Sequence, residues 1–540
     1  MFTETDFDHH FPFDIARKNQ LEICTQIAKG FETKKYVVLQ APTGVGKSAV
    51  AYAISGYFKE LHDWTSYVLT SQKGLQEQYM KSFREFNKAK LSIATVKGAE
   101  NYPCDLAKGR SCKVGACKFD KKITCHCAYN VLKDEVYGSD LGVLNYSYYM
   151  AMAGILKTGK IPEKALKFDY RPFLILDEAH NTEGVLLNLG AFKIKPIEIK
   201  TLYKYHCEPI PKFDDKEKLF VWLEEEILPW SQDILDKILL KIATMDKEEL
   251  KGMSLLNKQL SFFDNLTGQI QGCLALREND NEVVINKDEW QIEFKPLAVD
   301  NDLRDLLFAN SEKVLMMSAT ILDIDQFCKD LNIDIRDVEY VVCDDFFPKE
   351  NRPILDLSSK IGKINYNTME KVRPKIVKIV TNILKKHAGQ RGIIHTQSYA
   401  LAKYIIENVP EEYAKRLMIP RGGNRDQDID KFHRNHSDGV LLSPSLTEGL
   451  DLHGDLGEFS VICKAPFGFL GDNFVKTRME LNSRWYAVET IRKIIQAYGR
   501  TLRSETDKSV TYILDPAISN LLTRNHRIVP PWFFEAYKEL

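Results

Sequence analysis

Short apolar runs bounded by turn residues recur along the chain at 36–40, 67–70, 141–145, 173–176, 314–318, 392–396, 440–443, 461–465 and 510–514. Runs of four or five residues without polar alternation predict strands buried on both faces, as in a parallel sheet. Helical patterns separate most of them, and strand and helix in alternation predict α/β layers. The rhythm breaks between residues 196 and 288, where charged, amphipathic stretches at 216–240 and 247–276 predict long helices and few strands. This block reads as a helical insertion in an α/β unit. The strands then resume in two groups, the second starting near Arg352, which predicts two α/β lobes.

Length and composition widen that picture only slightly. At about 100–200 residues per domain, 540 residues allow three or four units. With 44% hydrophobic and 28% charged residues, neither a disordered tail nor a membrane bundle is expected. No run approaches the ~18 apolar residues of a spanning helix. Met1-Phe2-Thr3-Glu4-Thr5-Asp6 is acidic where a secretory signal is basic and then apolar, so a cytoplasmic or equivalent location and reduced cysteines are expected.

Net charge is uninformative, because 74 Lys and Arg face 75 Asp and Glu. Between Lys73 and Lys122, however, twelve basic residues face five acidic ones, a candidate polyanion surface. A solvated loop with scattered lysines is the alternative. Five of the eleven cysteines, Cys104, Cys112, Cys117, Cys125 and Cys127, fall within 24 residues of the same stretch. Random placement would put about half a cysteine there, so the cluster has a cause.

Three segments carry chemistry. The predicted strand 36–40 runs into Ala41-Pro42-Thr43-Gly44-Val45-Gly46-Lys47-Ser48 and then an apolar helix. In that context glycines let backbone N–H groups close around phosphate, Lys47 can reach the β/γ-phosphates and the Ser48 hydroxyl can ligate Mg²⁺. A second strand ends in Asp177-Glu178-Ala179-His180. One carboxylate there can hold Mg²⁺, Asp177, while its neighbour, Glu178, orients and deprotonates water. An acidic pair after a strand more often starts a helix, and the phosphate loop 130 residues upstream is what favours ATP hydrolysis. His180 can relay between nucleotide and second lobe or cap a turn. In Gln496-Ala497-Tyr498-Gly499-Arg500-Thr501-Leu502-Arg503, Arg500 and Arg503 are three apart and share a helical face, where guanidinium groups can stabilise a transferring phosphoryl group.

In order, these segments resemble the superfamily 2 helicases, and within them the iron–sulfur group that includes bacterial DinG and the xeroderma pigmentosum group D (XPD) proteins. Phe11-Pro12-Phe13 with Arg17 and Gln20 resembles the adenine-reading segment, with Lys18 where proline is usual. Thr70-Ser71-Gln72, Lys97-Gly98, Asn101-Tyr102-Pro103-Cys104 and the Asp-Glu-Ala-His box follow. Ser318-Ala319-Thr320 resembles the segment that couples hydrolysis to nucleic-acid grip, Gly449-Leu450-Asp451 its second-lobe counterpart, and 496–503 the arginine segment.

The resemblance implies two RecA-like P-loop lobes with ATP and Mg²⁺ in the cleft and single-stranded or forked DNA across the top. It implies 5′→3′ movement, a monomer, no membrane and a DNA-associated place in the cell, without choosing among DNA repair, replication and transcription. The division it implies is lobe one at 1–100, 129–195 and 289–345, a cluster domain at 101–128, a helical arch at 196–288 and lobe two at 346–540. Nucleotide contacts fall to Gln20, Thr43, Gly44, Val45, Gly46, Lys47, Ser48, Asp177 and Asp451, and catalysis to Lys47, Asp177, Glu178, Gln496, Arg500 and Arg503.

Cys104, Cys112, Cys117 and Cys127 are spaced by eight, five and ten. Four thiolates suit a [4Fe–4S] cluster or tetrahedral zinc, and ligand count does not choose between them. Missing Cys-x-x-Cys knuckles lean toward iron–sulfur, as does the resemblance, which favours Cys127 over Cys125 because it stands eighteen residues before Asn145. Two other readings remain open: a helicase for RNA or RNA–DNA hybrid, and a DNA-binding, ATP-switched scaffold that does not unwind.

Overall fold

Tyr36–Gln40 is buried along its whole length, which is why its sequence runs apolar without alternating. The computed structural model describes residues 3–540 other than 18, 72, 107–110, 115–124, 159–167, 169, 208–209, 211–215, 245–253, 279–282, 288–290, 344–347, 421–424, 445–456 and 502–506. In chain order the strands of the first half are β1 (Tyr36–Gln40), β2 (Ser66–Thr70), β3 (Ile93–Thr95), β4 (Leu141–Asn145), β5 (Phe173–Asp177), β6 (Phe192–Ile194), β7 (Val283–Lys287), β8 (Ile292–Pro296), β9 (Lys313–Ser318) and β10 (Val338–Val342). Seven of them form one sheet, ordered β10-β1-β9-β5-β2-β4-β3, with every pairing parallel. Alternate residues feed two apolar layers: Val37, Leu39 and Ile175 on one face, Val38, Leu174 and Leu176 on the other.

The second half builds a second parallel sheet from β11 (Ile354–Asp356), β12 (Gly392–His395), β13 (Leu417–Met418), β14 (Val440–Ser443), β15 (Phe459–Ile462), β16 (Val510–Ile513) and β17 (Tyr537–Glu539). Its order is β13-β14-β12-β15-β16-β11-β17. Two seven-stranded parallel sheets with helices on both faces make a two-lobed α/β fold. The expected strand at 461–465 lies earlier, at Phe459–Ile462, because Ser460 interrupts the apolar run yet is fully buried in the sheet.

Between β6 and β8 the chain forms a unit with its own core. β6, β8 and β7 make a three-stranded antiparallel sheet on which Phe192 and Phe294 stack with ring centroids 4.6 Å apart. The expected helix 216–240 runs Lys216–Trp222, widens into a π-helical stretch at Leu223–Ile227, and continues as Leu228–Thr244. Pro229, which lacks an N–H and crowds the preceding turn, accounts for the widening. The partner helix is described over Ser254–Glu278, and Ser231 and Thr267 join the two with hydroxyls 3.0 Å apart. Phe220 and Phe263 fill the space between.

Candidate active site between the lobes

Parallel strands deliver their following residues to one edge, so neighbours in the sheet decide which loops meet. β9 lies between β1 and β5, with Gln40 opposite Ser318 and Asp177 opposite Met317. The glycine-rich loop, the carboxylate pair and Ser318-Ala319-Thr320 therefore begin side by side, although more than a hundred residues separate each from the next.

Gly44 and Gly46 have φ of 88° and 87°, a region that side-chain-bearing residues rarely adopt. A Cβ on Gly46 would also lie 2.4 Å from Gln20 Nε2. Gln20 is buried and donates from Nε2 to Val45 O at 2.5 Å, while its Oε1 accepts from the Arg17 N–H at 2.7 Å. Arg17 in turn donates to Gly44 O. Lys47, first residue of the helix Lys47–His62, donates to Ala41 O at 3.2 Å, so without a ligand its ammonium rests on the loop's own carbonyl.

Asp177 is buried, and Tyr79 and Tyr146 lie beside it. Burial, and then the Glu178 charge, push its carboxyl up to about 6, with the Lys47 ammonium only partly opposing them. A carboxylate in this state lacks positive charge, and a divalent cation is what such a donor set accepts. Glu178 has a φ of 50°, a left-handed conformation that turns its carboxylate out of the strand and toward His180, whose Nδ1 is 3.4 Å from Glu178 Oε2.

His180 joins three segments. Its Nδ1 is 2.8 Å from Ser318 Oγ, and its Nε2 is 2.8 Å from Gln496 Nε2. With the Gln496 amide donating to Nε2, the ring proton sits on Nδ1 and is offered to Ser318, which also accepts from the Thr320 N–H at 3.0 Å. Of the two sequence readings of His180, the bridge to the second lobe describes the geometry. Arg492 adds a second crossing, donating from Nε to Thr320 O at 3.0 Å.

Lobe two also approaches the phosphate loop directly. A Cβ on Gly499 would lie 3.5 Å from Thr43 Oγ1, which places the turn Gly499–Thr501, and the Arg500 backbone within it, against the loop. Arg503, Gly449, Leu450 and Asp451 lie outside the described residues. Farther along the interface, Arg478 pairs with Glu183 at 2.6 Å and Asp330 at 3.1 Å, and the Trp485 indole N–H donates to Glu183 at 3.3 Å. Sequence reading missed Arg478, Arg492, Glu183 and Asp330. Their partners are distant in the chain, and nothing in the local pattern marks them.

The cysteine-rich segment meets the first lobe through buried thiols. Cys104, Cys112 and Cys127 are all buried, with Cys112 and Cys127 sulfurs 3.3 Å apart, whereas Cys125 is partly exposed. Cys127 precedes the helix Ala128–Gly138; burial alone would raise its thiol, but the Asn130 N–H and other donors bring it below the usual range, while burial and the neighbouring Cys127 push Cys112 up to about 12. Cys112 and Cys127 bring two sulfurs together, and Cys104 is buried in the same apolar cluster, a set of thiols that could serve a metal or metal–sulfide group. Cys117, Lys108, Arg110, Lys118, Lys121 and Lys122 lie outside the described residues; Lys113 is exposed and Lys97 pairs with Glu77.

Residues 15–199 match the family model described as type III restriction enzyme, res subunit, and residues 380–535 that of the helicase C-terminal domain. A probable ATP-dependent helicase of Methanocaldococcus jannaschii is 22% identical, with 95% of this chain and 93% of that protein aligned. The ATP-dependent DNA helicase DinG of Photobacterium profundum is 24% identical over 44% of this chain and 36% of its own. Among solved structures, an XPD helicase covers 98% of this chain and 100% of its own, at 16% identity and a TM-score of 0.63, and S. tokodaii Xpd4 covers 97% and 100% at 13% identity and 0.60.

Proposed function

Because the chain is an ATP-hydrolysing superfamily 2 helicase of the DinG/XPD type, we propose that it couples Mg²⁺-dependent ATP hydrolysis to 5′→3′ movement on single-stranded DNA and to separation of the duplex ahead. The observation that carries the reading is the His180 bridge: the residue two places from Glu178 touches Ser318 in lobe one and Gln496 in lobe two. A change in Glu178's surroundings during hydrolysis is thereby felt in both lobes, as a motor requires.

In this reading Thr43, Gly44, Val45 and Gly46 present backbone N–H groups to the phosphates, Lys47 exchanges Ala41 O for the β/γ-phosphates, and Gln20 reads the base. Ser48 and Asp177 would hold Mg²⁺, which supplies neutralisation of the phosphate oxygens. Glu178 orients the attacking water and takes its proton. Arg500 and Arg503 answer the charge that develops as the β–γ bond breaks, and Asp451 serves lobe two's side of the cleft. The division into lobes, cluster domain and arch is the one given above, except that Phe192–Ile194 and Ile292–Pro296, expected in lobe one, pair in the inserted unit's own sheet and core and belong with the arch.

Cys104, Cys112, Cys117 and Cys127 would hold a [4Fe–4S] cluster, which supplies the order that a segment of this size cannot draw from a core of its own. Support for the cluster comes from the buried sulfurs, and support for DNA as the substrate from the Photobacterium relative, whose name specifies DNA.

The deciding experiment measures strand displacement on paired DNA substrates with only a 5′ or only a 3′ tail, beside an all-RNA duplex. Displacement from the 5′ tail alone is expected. Preference for the 3′ tail would refute the polarity, displacement of RNA would change the substrate, and DNA-stimulated hydrolysis without displacement would identify a switch. In Cys112→Ser, iron, acid-labile sulfide and strand displacement should fall together while much of the ATPase remains; zinc without iron in anaerobic wild type would sink the cluster assignment.

A further inference from the structure

The N-terminal arm contains a group of donors that the motor chemistry does not use. Phe7 and Phe11 are fully buried and pin the short stretch between them, which includes His9 and His10, onto the helix Lys47–His62. Phe7 packs on Tyr57 with ring centroids 4.7 Å apart. One turn of that helix then treats the two imidazoles in two ways. Gly56 leaves room, since a Cβ there would come within 3.2 Å of His10 Nδ1, and Glu60, four residues on and on the same face, presents its carboxylate to both rings.

His9 Nε2 is 3.4 Å and His10 Nε2 3.2 Å from the same oxygen, Glu60 Oε2, and all three donor atoms lie within 4.8 Å of one another. With zinc–nitrogen and zinc–oxygen bonds of about 2.0–2.2 Å, donors on a tetrahedral ion stand about 3.3–3.5 Å apart. We propose that His9, His10 and Glu60 form a site for a borderline divalent cation of the Zn²⁺ kind, with a fourth position open to solvent. Two imidazoles and one carboxylate are the donor set such ions prefer over Mg²⁺ or Ca²⁺.

The site would staple the arm to the helix that begins at Lys47. A few residues beyond His10 the same arm supplies Arg17 and Gln20 to the phosphate loop, so the cation would brace the nucleotide pocket from behind. It is chemically distinct from the cysteine-rich segment, which permits a clean test.

Chelator-treated full-length protein, wild type and Cys112→Ser, is titrated with Zn²⁺ against a chromophoric competitor, with thermal unfolding recorded alongside. One Zn²⁺ equivalent that persists in Cys112→Ser is expected, lost in His9→Ala and in Glu60→Gln, together with a Zn²⁺-dependent rise in Tm that both variants lack. Both residues are exposed, so the variants should fold, and circular dichroism checks that they do. Co²⁺ in the Cys112→Ser chain should give weak d–d bands without thiolate charge transfer. Failure of Cys112→Ser to bind Zn²⁺, or equal binding and equal Tm response in His9→Ala and Glu60→Gln, would overturn the proposal.

Discussion

The two lobes share strand number, parallel sense and a strand that ends in aspartate, central β5 in lobe one and the next-to-edge β11 in lobe two, yet they use it in opposite ways. In lobe two Asp356 ends β11 and accepts from the Ser358 N–H at 2.8 Å and from the hydroxyls of Ser519 and Tyr537. Burial would raise that carboxyl, but these donors hold it below its ordinary value. In lobe one Asp177 ends β5 and is raised, by burial and by Glu178. One carboxylate is satisfied within the protein and serves the fold. The other is left short of positive charge and, in the proposed function, would hold Mg²⁺. The same residue type at the carboxyl end of a parallel strand thus differs in charge balance according to which donors the surrounding loops bring to it.

The contrast breaks most visibly at Glu178. Glu178→Gln should lower ATP turnover by about 10²–10⁴-fold while retaining nucleotide, the range expected for removal of a general base. Lys47→Ala should instead weaken nucleotide binding or its productive placement, and titrations beside steady-state hydrolysis separate the two. Near wild-type turnover in Glu178→Gln would remove the residue from its role.

Next in size is a paired substitution. Asp356→Ala removes the acceptor shared by the Ser358 N–H and the part-buried hydroxyls of Ser519 and Tyr537 and should lower stability by about 1–3 kcal/mol while leaving the ATP-site groups untouched. Asp177→Asn removes an under-compensated buried charge and should leave the unliganded protein equally or more stable while Mg²⁺-dependent hydrolysis is lost. Denaturation midpoints and Mg²⁺ titrations of both variants check the crossover; equal destabilisation would erase the distinction between the two aspartates.

A smaller effect is expected where the lobes are joined. Gln496→Ala removes a hydrogen bond to His180, and a loss of about 1–1.5 kcal/mol in coupling corresponds to about tenfold in DNA-stimulated turnover, with basal turnover changed less. Equal loss of basal and stimulated rates would argue that Gln496 acts only within the ATP site.

The smallest prediction concerns pH. Burial, and then Asp330, raise Glu183 to about 7, and burial raises Asp330 to about 6, with Arg478 between them opposing both. A carboxyl whose folded pKa exceeds its unfolded one contributes stability at low pH that is lost as pH rises through the folded pKa. Tm should therefore fall by a few degrees between about pH 5 and pH 8, and Glu183→Gln should flatten that slope. An unchanged slope would relocate the titrating group.

Much of this was readable before any tertiary contact was known. The nine apolar runs are strands because they are buried on both faces, and the phosphate loop was legible because strand, glycines, Lys47 and helix are contiguous. The strands that escaped, β3, β6, β7, β8, β10, β11, β13 and β17, are short, alternating in burial, or at sheet edges, such as Val338–Val342 with its pattern of buried and exposed residues. The cysteine cluster was visible as composition; that Cys127 is buried beside Cys112 while Cys125 is partly exposed was not.

What the sequence determined by itself was local: the periodicity that makes α/β layers, the glycines that permit positive φ, and the types of residue at each strand end. Tertiary structure decided which strand ends are neighbours, and hence that His180 meets Ser318, 138 residues away, and Gln496, 316 residues away. It also decided that His9 and His10 face Glu60, and that burial and the Glu178 charge outweigh the donors at Asp177 where the donors prevail at Asp356. Hydrogen-bond satisfaction and charge balance depend on distance in space, and periodicity along a chain does not encode that distance between segments which meet only after folding.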